Sequence, residues 1–270
     1  MTRFAANLSM MFTELPFLER FQAAADAGFT GVEYLFPYDH TVQEVSEARE
    51  RAGVRQVLFN APPGDWAAGE RGLASLPDRA EEFSAGLETA LRYAEALDCA
   101  QIHVMAGVTG SAGATAGGDT PEGAQTEQRY MDRIREAAER AADTGRRVLI
   151  EPINSVDMPG YFLNSVHQAL DLLTRIDHPA LGLQLDLYHA QIIHGDLTRL
   201  IRTAAPHTAH VQIASVPDRH EPDGGELALD HLLSVLDDSG FTGWIGCEYH
   251  PAGETTAGLG WFAPHRGGTA

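Results

Sequence analysis

The chain has 270 residues, of which 44% are hydrophobic and 21% are charged, and its formal net charge at pH 7 is −19. This length suits one large domain, such as an α/β barrel, or two small ones, and the acidic balance argues against nucleic acid as a partner because phosphate binding needs a basic face. All 19 basic residues are arginine, which excludes Schiff-base chemistry, attachment of pyridoxal phosphate and a P-loop lysine.

The sequence predicts a cytoplasmic protein that does not enter a membrane. It contains no apolar run of about eighteen residues, which is the length that a spanning helix needs. The first residues, Met1-Thr2-Arg3-Phe4, lack the apolar segment of a signal peptide. Cys99 and Cys247 lie far apart in apolar stretches, so we expect two buried free thiols in a reducing compartment.

Strand-like and helix-like segments alternate along the whole chain. Short apolar runs predict eight strands at residues 4–10, 31–36, 54–59, 101–105, 148–151, 181–186, 209–213 and 244–248. Helical spacing of apolar residues predicts helices at residues 17–27, 42–52, 78–97, 121–144, 166–176 and 229–238. Eight such units without an intervening linker predict a single α/β domain over residues 1–270, a (β/α)₈ TIM barrel.

Two loops are longer than the others. Residues 60–77 are rich in Pro, Gly and Asp, and this loop places Trp66 and several charges near the mouth of the barrel, where they could cover a substrate or meet another subunit. Residues 106–118 consist almost entirely of Gly, Ala, Ser, Thr and Val and are predicted to form a mobile loop.

Four consecutive strands end in, or close to, a side chain that offers an oxygen atom: Glu151, Asp186, Gln212 and Glu248. Alternation of apolar with small or polar residues in the sixth and eighth strands turns these side chains toward the barrel axis at its carboxyl end. Three carboxylates and an amide suit a hard ion such as Mg²⁺ or Mn²⁺, and without a cation the carboxylates would repel one another. A metal site is therefore predicted. The alternative for each residue is an acid that faces solvent or caps the next helix.

Further polar side chains are candidates for contact with a substrate. His189 follows the sixth strand and could hydrogen-bond a substrate oxygen, hold the neighbouring aspartate or have only a structural role. Since the chain has no lysine, an anionic substrate needs an arginine, and loop position favours Arg219 and Arg71. A surface salt bridge is the alternative for either arginine. His103 and His210 are predicted to face the barrel interior.

Six motifs are spread over nearly the whole chain. They are RFAANLSM at residues 3–10, PGDWAAGERG at 63–72, EPIN at 151–154, QLD at 184–186, HVQIA at 210–214 and GCEY at 246–249. Together they resemble the hydroxypyruvate isomerase family of the xylose-isomerase-like barrels. The resemblance implies a cytoplasmic enzyme that takes a small hydroxy-oxo acid, with a homodimer or homotetramer as the expected assembly.

The resemblance also implies the roles of individual residues. A divalent metal, Mg²⁺ or Mn²⁺, would be bound by Glu151, Asp186, Gln212 and Glu248. The two glutamates would act as acid and base in the isomerisation of hydroxypyruvate to tartronate semialdehyde, through a cis-enediolate held by the metal. The residues expected to contact the substrate are His189, Arg219, Glu70, Arg71 and Asn60.

Other functions remain open at this point. Residues 214–222 resemble the 2-oxo-tetronate isomerase branch, whereas residues 151–154 resemble the hydroxypyruvate enzymes. A ketose 3-epimerase is disfavoured because many of these enzymes carry histidine at the position of Gln212. A metal-dependent phosphodiesterase of the endonuclease type shares the barrel but is opposed by the acidic charge and by the small number of metal-type histidines. The last alternative is a non-catalytic barrel that binds a sugar acid.

Overall fold

A computed structural model describes residues 2–110 and 120–265. Eight parallel strands form a closed barrel in the order in which they occur in the chain. They are β1 Arg3–Asn7, β2 Gly31–Tyr34, β3 Arg55–Asn60, β4 Gln101–His103, β5 Arg147–Ile150, β6 Leu181–Asp186, β7 Thr208–Ile213 and β8 Trp244–Cys247. The predicted (β/α)₈ TIM barrel is confirmed.

Eight α-helices lie between successive strands of the described chain. They are α1 Arg20–Asp26, α2 Val42–Ala52, α3 Ala80–Ala96, α4 Pro121–Ala142, α5 Val166–Ile176, α6 Leu187–Ile193, α7 Leu197–Ala204 and α8 Leu229–Asp238. The six predicted helices correspond to α1–α5 and α8. None of the helices that the structure describes is long and apolar enough to cross a membrane.

Helices α6 and α7 were not predicted. Helix α6 is too short to show a helical repeat of apolar residues, whereas α7 does show one, at Leu197, Leu200, Ile201 and Ala204, over only two turns. Helix α6 begins directly at the end of β6, where the side chain of Asp186 accepts a hydrogen bond from the backbone N–H of Tyr188. The same aspartate therefore ends a strand and caps a helix. The predicted first strand is also too long, since the N–H groups of Met10 and Met11 both bond to the carbonyl of Asn7 and turn the chain there.

The faces of the strands divide as the alternation of the sequence predicts. Leu183 and Leu185 belong to the large apolar cluster that packs the helices against the sheet, whereas Gln184 is buried outside that cluster. A small separate cluster includes Ala5 and Leu149, two residues before Asn7 and Glu151 on the same strand faces. An apolar layer therefore lies beneath the polar residues at the carboxyl end of the barrel.

Gly246 in β8 leaves space for an acid from β2, since both strands pair with β1 in the closed barrel. A Cβ atom at this position would overlap with both carboxylate oxygens of Glu33 from β2. The register between β2 and β3 shifts between Val32 and Glu33. The missing side chain of Gly246 thus permits a buried glutamate inside the barrel.

Candidate active site

A cavity of about 200 Å³ opens at the carboxyl end of the barrel. It is smaller than the range of roughly 300–1,000 Å³ that is usual for drug-sized ligands, so its dimensions suit a small metabolite. Six of the residues predicted to act on metal or substrate line it: Asn60, Arg71, Glu151, His189, Arg219 and Glu248. His103, which was predicted only to face the interior, lines it as well.

The four oxygen-bearing residues at the strand ends lie together and are buried. Their exposed fractions are 4% for Glu151, 3% for Asp186, 1% for Gln212 and 8% for Glu248. Asp186 is the register partner of Gln212 in the barrel, and the amide of Gln212 donates to the carboxylate of Glu248. The topology therefore brings four residues that span almost a hundred positions in sequence into one buried polar group.

Glu248 accepts hydrogen bonds from three side chains. Nη2 of Arg219 lies 2.8 Å from Oε1, Nδ2 of Asn7 lies 3.0 Å from Oε2, and Gln212 donates to Oε2 as well. Burial raises the pKa of Glu248 to about 8, although the charge of Arg219 acts in the opposite direction. The donors favour the ionised carboxylate, whereas burial favours the neutral acid.

Glu151 has a different surrounding. Its Oε1 is buried without a hydrogen-bond donor among the described residues, and its Oε2 lies 3.6 Å from Nε2 of His103. Burial, together with the charges of Glu248 and Asp186, raises the pKa of Glu151 well above its ordinary value. Burial also raises the pKa of Asp186, to about 6. Glu151 is therefore the member of the group that least favours ionisation in the metal-free protein.

A divalent cation fits this group of residues. Three carboxyl groups whose pKa values are raised face a single arginine, so the ionised group carries excess negative charge in a buried place. Within the described part of the chain, Oε1 of Glu151 is an oxygen ligand without a competing donor. Carboxylate and amide oxygens are the ligands that Mg²⁺ and Mn²⁺ prefer.

His189 also lies close to these carboxylates, but its hydrogen bonds make it a donor. Nε2 is 3.6 Å from Asp186 and 4.0 Å from Glu151, a distance at which the three residues could share an ion. However, Oδ1 of Asn154 accepts from the backbone N–H groups of residues 156 and 157, so its Nδ2 must donate to Nδ1 of His189 at 2.6 Å. In this arrangement Nε2 carries the proton and can donate to a substrate oxygen.

His103 has the opposite tautomer. Its Nδ1 lies 3.2 Å from Oδ1 of Asn60, an acceptor, so Nδ1 carries the proton and Nε2 presents a lone pair toward Glu151. Burial lowers the pKa of His103 to about 3. The residue is neutral and can accept a hydrogen bond from a protonated Glu151. Asn60 thus lines the cavity and also fixes the tautomer of His103.

A buried network behind the site was not predicted. Glu33 accepts from Nε2 of His210 at 2.7 Å, from Nε2 of Gln212 at 2.8 Å and from Nδ2 of Asn7 at 3.1 Å. Since Asn7 and Gln212 both also donate to Glu248, Glu33 fixes the two amides that hold that glutamate. A glutamate inside a predicted apolar strand was the only available sign of this network.

Residues of the loop at 63–72 occupy two different places. Arg71 and Trp66 line the cavity. Glu70 does not line it: its carboxylate accepts from Arg79 and from the backbone N–H of Asp65, and the hydrogen bonds from Arg79 lower the pKa of Glu70 to about 2. The structure therefore places Glu70 in the support of the loop, away from the expected position beside the substrate.

The second long loop is described only at its start. Ala106 pairs with Gly72 and Val108 pairs with Tyr161 through isolated bridges. The remaining part of the predicted mobile loop, within residues 111–119, lies outside the described residues.

Comparison with known proteins agrees with this geometry over nearly the full chain. The family model described as xylose isomerase-like TIM barrel matches residues 21–265. A 2-oxo-tetronate isomerase from Pectobacterium atrosepticum is 47% identical over 264 residues, which cover 98% of each chain. A hydroxypyruvate isomerase from Escherichia coli strain K12 is 42% identical over 269 residues, covering 98% of this chain and 100% of the relative.

One solved structure is similar over nearly the full length of the chain. The crystal structure described as an AP endonuclease, family 2, from Brucella melitensis is 52% identical and superimposes with a TM-score of 0.93. The match covers 98% of this chain and 100% of that chain.

Proposed function

The chain belongs to the family of xylose isomerase-like TIM barrels, and on that premise we propose that it is a metal-dependent isomerase that converts hydroxypyruvate into tartronate semialdehyde. It is an enzyme, an isomerase of the aldose–ketose type. The observation that carries the proposed reaction is the presence of two buried glutamates with different partners on one small cavity.

The reaction moves hydrogen within one molecule and consumes no oxidant. A base removes a proton from C3 of hydroxypyruvate, the hydroxymethyl carbon, and the electron pair forms the C2–C3 double bond of an enediolate. An acid then delivers a proton to C2, while a second proton is transferred from O3 to O2. The product carries an aldehyde at C3 and a hydroxyl group at C2, so atoms and electrons balance.

The hydrogen-bond partners of the two glutamates support different roles for them, a base and an acid, in the conversion of hydroxypyruvate into tartronate semialdehyde. Glu248 accepts from Arg219, Gln212 and Asn7, which stabilise its ionised form, and this suits the base that removes the C3 proton. Among the described residues Glu151 has no donor on Oε1, which is free to take a ligand, and its Oε2 lies 3.6 Å from Nε2 of His103, where it can carry the proton that is delivered to C2. After each turnover Glu248 releases to solvent the proton that it took up, and Glu151 is protonated again from solvent. In the reverse reaction the two roles are exchanged.

The neighbouring residues hold the substrate between the two glutamates. Nε2 of His189 is available to donate to a substrate oxygen. Trp66 and Met158 contribute apolar surface to the cavity, which limits access of water to the reacting carbons.

The metal would be held by Glu151, Asp186, Gln212 and Glu248. When bound, it would act as a Lewis acid that polarises the carbonyl of the substrate and acidifies the adjacent C–H bond. For Gln212 to contribute its amide oxygen, its NH₂ group must be directed elsewhere, and both Glu33 and Glu248 accept from that group. The amide oxygen accepts from Nε2 of Gln184 at 2.7 Å, so the metal would take its second lone pair.

Replacement of Glu33 by glutamine is expected to weaken Mn²⁺ binding by about 10- to 100-fold, the usual effect of losing a group that orients a ligand. The new amide would present donors to Asn7, Gln212 and His210, which all donate in the parent protein. Isothermal titration with Mn²⁺ measures the change. Glu50→Gln, at an exposed position on α2, is the matched control, and an affinity for Glu33→Gln within threefold of this control would contradict the orienting role.

A second candidate substrate is 2-oxo-tetronate, because a relative with 47% identity carries that name. It would undergo the same proton transfer between its two central reacting carbons and differs by one additional carbon.

The test compares the two acids side by side with Mg²⁺ or Mn²⁺ present. We expect kcat/KM to be at least about tenfold higher for hydroxypyruvate. One additional carbon that a pocket does not accommodate changes the free energy of transition-state binding by roughly 1–3 kcal/mol. Product identification by proton NMR distinguishes tartronate semialdehyde from other products. A higher kcat/KM for 2-oxo-tetronate would transfer the assignment to that acid, and turnover of neither by the metal-loaded protein would contradict the proposed function.

A further inference from the structure

We propose that Arg71 binds the carboxylate of the substrate and is the residue that makes this barrel selective for acids over neutral sugars of the same length. The inference rests on the proposed function for the identity of the acid. It also makes a prediction about anion binding that can be tested without turnover.

Arg71 and Arg219 are the two arginines that line the cavity in the part of the chain that the structure describes. Arg219 already forms ion pairs with acidic side chains of the site. Its Nη2 lies 2.8 Å from Glu248 and 3.4 Å from Asp186, and its Nη1 lies 4.0 Å from Asp157. A substrate carboxylate that approached Arg219 would compete with three acidic side chains.

Arg71 forms no ion pair with any acid among residues 2–110 and 120–265. Its Nη1 donates to the backbone carbonyls of Trp66 at 3.0 Å and Glu70 at 2.8 Å, and its remaining nitrogens, Nε and Nη2, have no acceptor within the described chain. The chain has a net charge of −19, yet this cavity-lining guanidinium has no acidic partner among the described residues. Nε and Nη2 form one edge of the guanidinium and can bind a carboxylate through two parallel hydrogen bonds.

The guanidinium is held in a fixed orientation. It stacks on the ring of Trp66, with Cζ 3.8 Å from the ring centroid, and Trp66 in turn contacts Phe36 in an edge arrangement at 5.0 Å. Such a stack keeps the donor edge in place before the anion arrives, and this reduces the conformational entropy lost on binding.

The backbone beneath Arg71 is also fixed. Gly72 has φ = 111° and bridges to Ala106, and a Cβ atom at this position would overlap with the carbonyl of Met105. On the other side, Arg79 holds the carboxylate of Glu70. Arg71 therefore projects from a braced loop segment, as expected of a residue that positions a ligand.

Arg71 supplies a positive charge for the carboxylate of the substrate. Three acidic side chains of the metal group repel an incoming anion, and a free cation at another part of the same small cavity offsets this repulsion for the carboxylate end. A neutral triose such as dihydroxyacetone has a hydroxymethyl group in place of the carboxylate and obtains no benefit from Arg71. The residue thereby fixes both the class of substrate and its orientation relative to Glu151 and Glu248.

The test measures binding of hydroxypyruvate and of dihydroxyacetone by isothermal titration to the full chain with Mg²⁺ present. Arg71→Met is expected to raise the Kd for hydroxypyruvate by about 10- to 100-fold, the value of hydrogen bonds to a charged group. The Kd for dihydroxyacetone is expected to change by less than about threefold. Arg71→Lys should recover part of the loss, because it restores the charge but not the two-point geometry.

Arg79→Met is the control for an effect on the loop alone, because it removes the support of Glu70 while leaving Arg71 in place. We expect its effect on hydroxypyruvate binding to be much smaller than that of Arg71→Met. Equal losses in both variants, equal losses for both ligands in Arg71→Met, or absence of hydroxypyruvate binding to the parent protein would overturn the assignment. Binding that depends on Arg71 without turnover in the parent protein would contradict the proposed function and leave the anion site standing.

Discussion

Replacement of Glu151 by glutamine is expected to lower kcat for hydroxypyruvate by about 10²- to 10⁴-fold, the usual contribution of a general acid or base. Glutamine keeps the shape of the side chain but can neither release nor accept the transferred proton. Glu248→Gln is expected to cause a loss of the same order, because both glutamates line the cavity and each handles one of the two carbon-bound protons. Steady-state kinetics with saturating Mg²⁺ or Mn²⁺ measures kcat.

The matched control is Glu70→Gln, the same chemical change at a residue of the loop that does not line the cavity. Its kcat should stay within a few-fold of the parent value. Binding of hydroxypyruvate to Glu151→Gln should remain measurable by titration, which separates loss of chemistry from loss of the site. If Glu151→Gln and Glu248→Gln both retained more than about a tenth of the parent kcat, proton transfer by the two glutamates would be wrong.

Replacement of Arg219 by methionine is expected to lower the free energy of unfolding of the metal-free protein by about 3–5 kcal/mol, the usual cost of removing one partner of a buried ion pair. Arg219 is the cation that faces the carboxyl groups of Glu248 and Asp186, and its side chain is 18% exposed. Without it, these carboxyls must be protonated or remain as unpaired buried charges. Chemical denaturation in the presence of a chelator measures the change.

Arg175→Met is the control for this prediction. Arg175 also pairs with two acids, Glu127 and Asp171, but its side chain is 42% exposed, so the expected loss is only about 0–1 kcal/mol. Addition of Mn²⁺ should restore part of the stability lost in Arg219→Met, since a cation replaces the missing positive charge. Equal effects in Arg219→Met and Arg175→Met would contradict a role of Arg219 in balancing the charge of the site.

Local sequence patterns were sufficient to predict the barrel and the position of its principal acids. The alternation in residues 181–186 assigns Asp186 to the inner face, and in a ring of parallel strands all carboxyl ends meet at one side. Glu151 and Glu248 could therefore be placed together although they lie in strands far apart in the chain. Short helices such as α6 show no such pattern and were missed.

Side-chain partners could not be predicted, because they depend on distances across the closed barrel. Glu33 contacts His210, which lies 177 residues further along the chain. The protonated Nε2 of His189 follows from the orientation of Asn154, which is set by its own loop. Glu70 and Arg71 are adjacent in sequence, yet one side chain binds Arg79 and the other lines the cavity.

Deuterium incorporation tests the central claim most directly. Hydroxypyruvate is incubated in D₂O with protein that has been stripped of metal by a chelator, before and after addition of Mg²⁺ or Mn²⁺, and followed by proton NMR. The proposed reaction predicts metal-dependent exchange at C3 together with formation of tartronate semialdehyde that carries deuterium at C2. Glu248→Gln should abolish both events, whereas Glu151→Gln should abolish formation of the product. Absence of exchange and of product with the metal-loaded parent protein would contradict proton transfer by the two glutamates on this substrate.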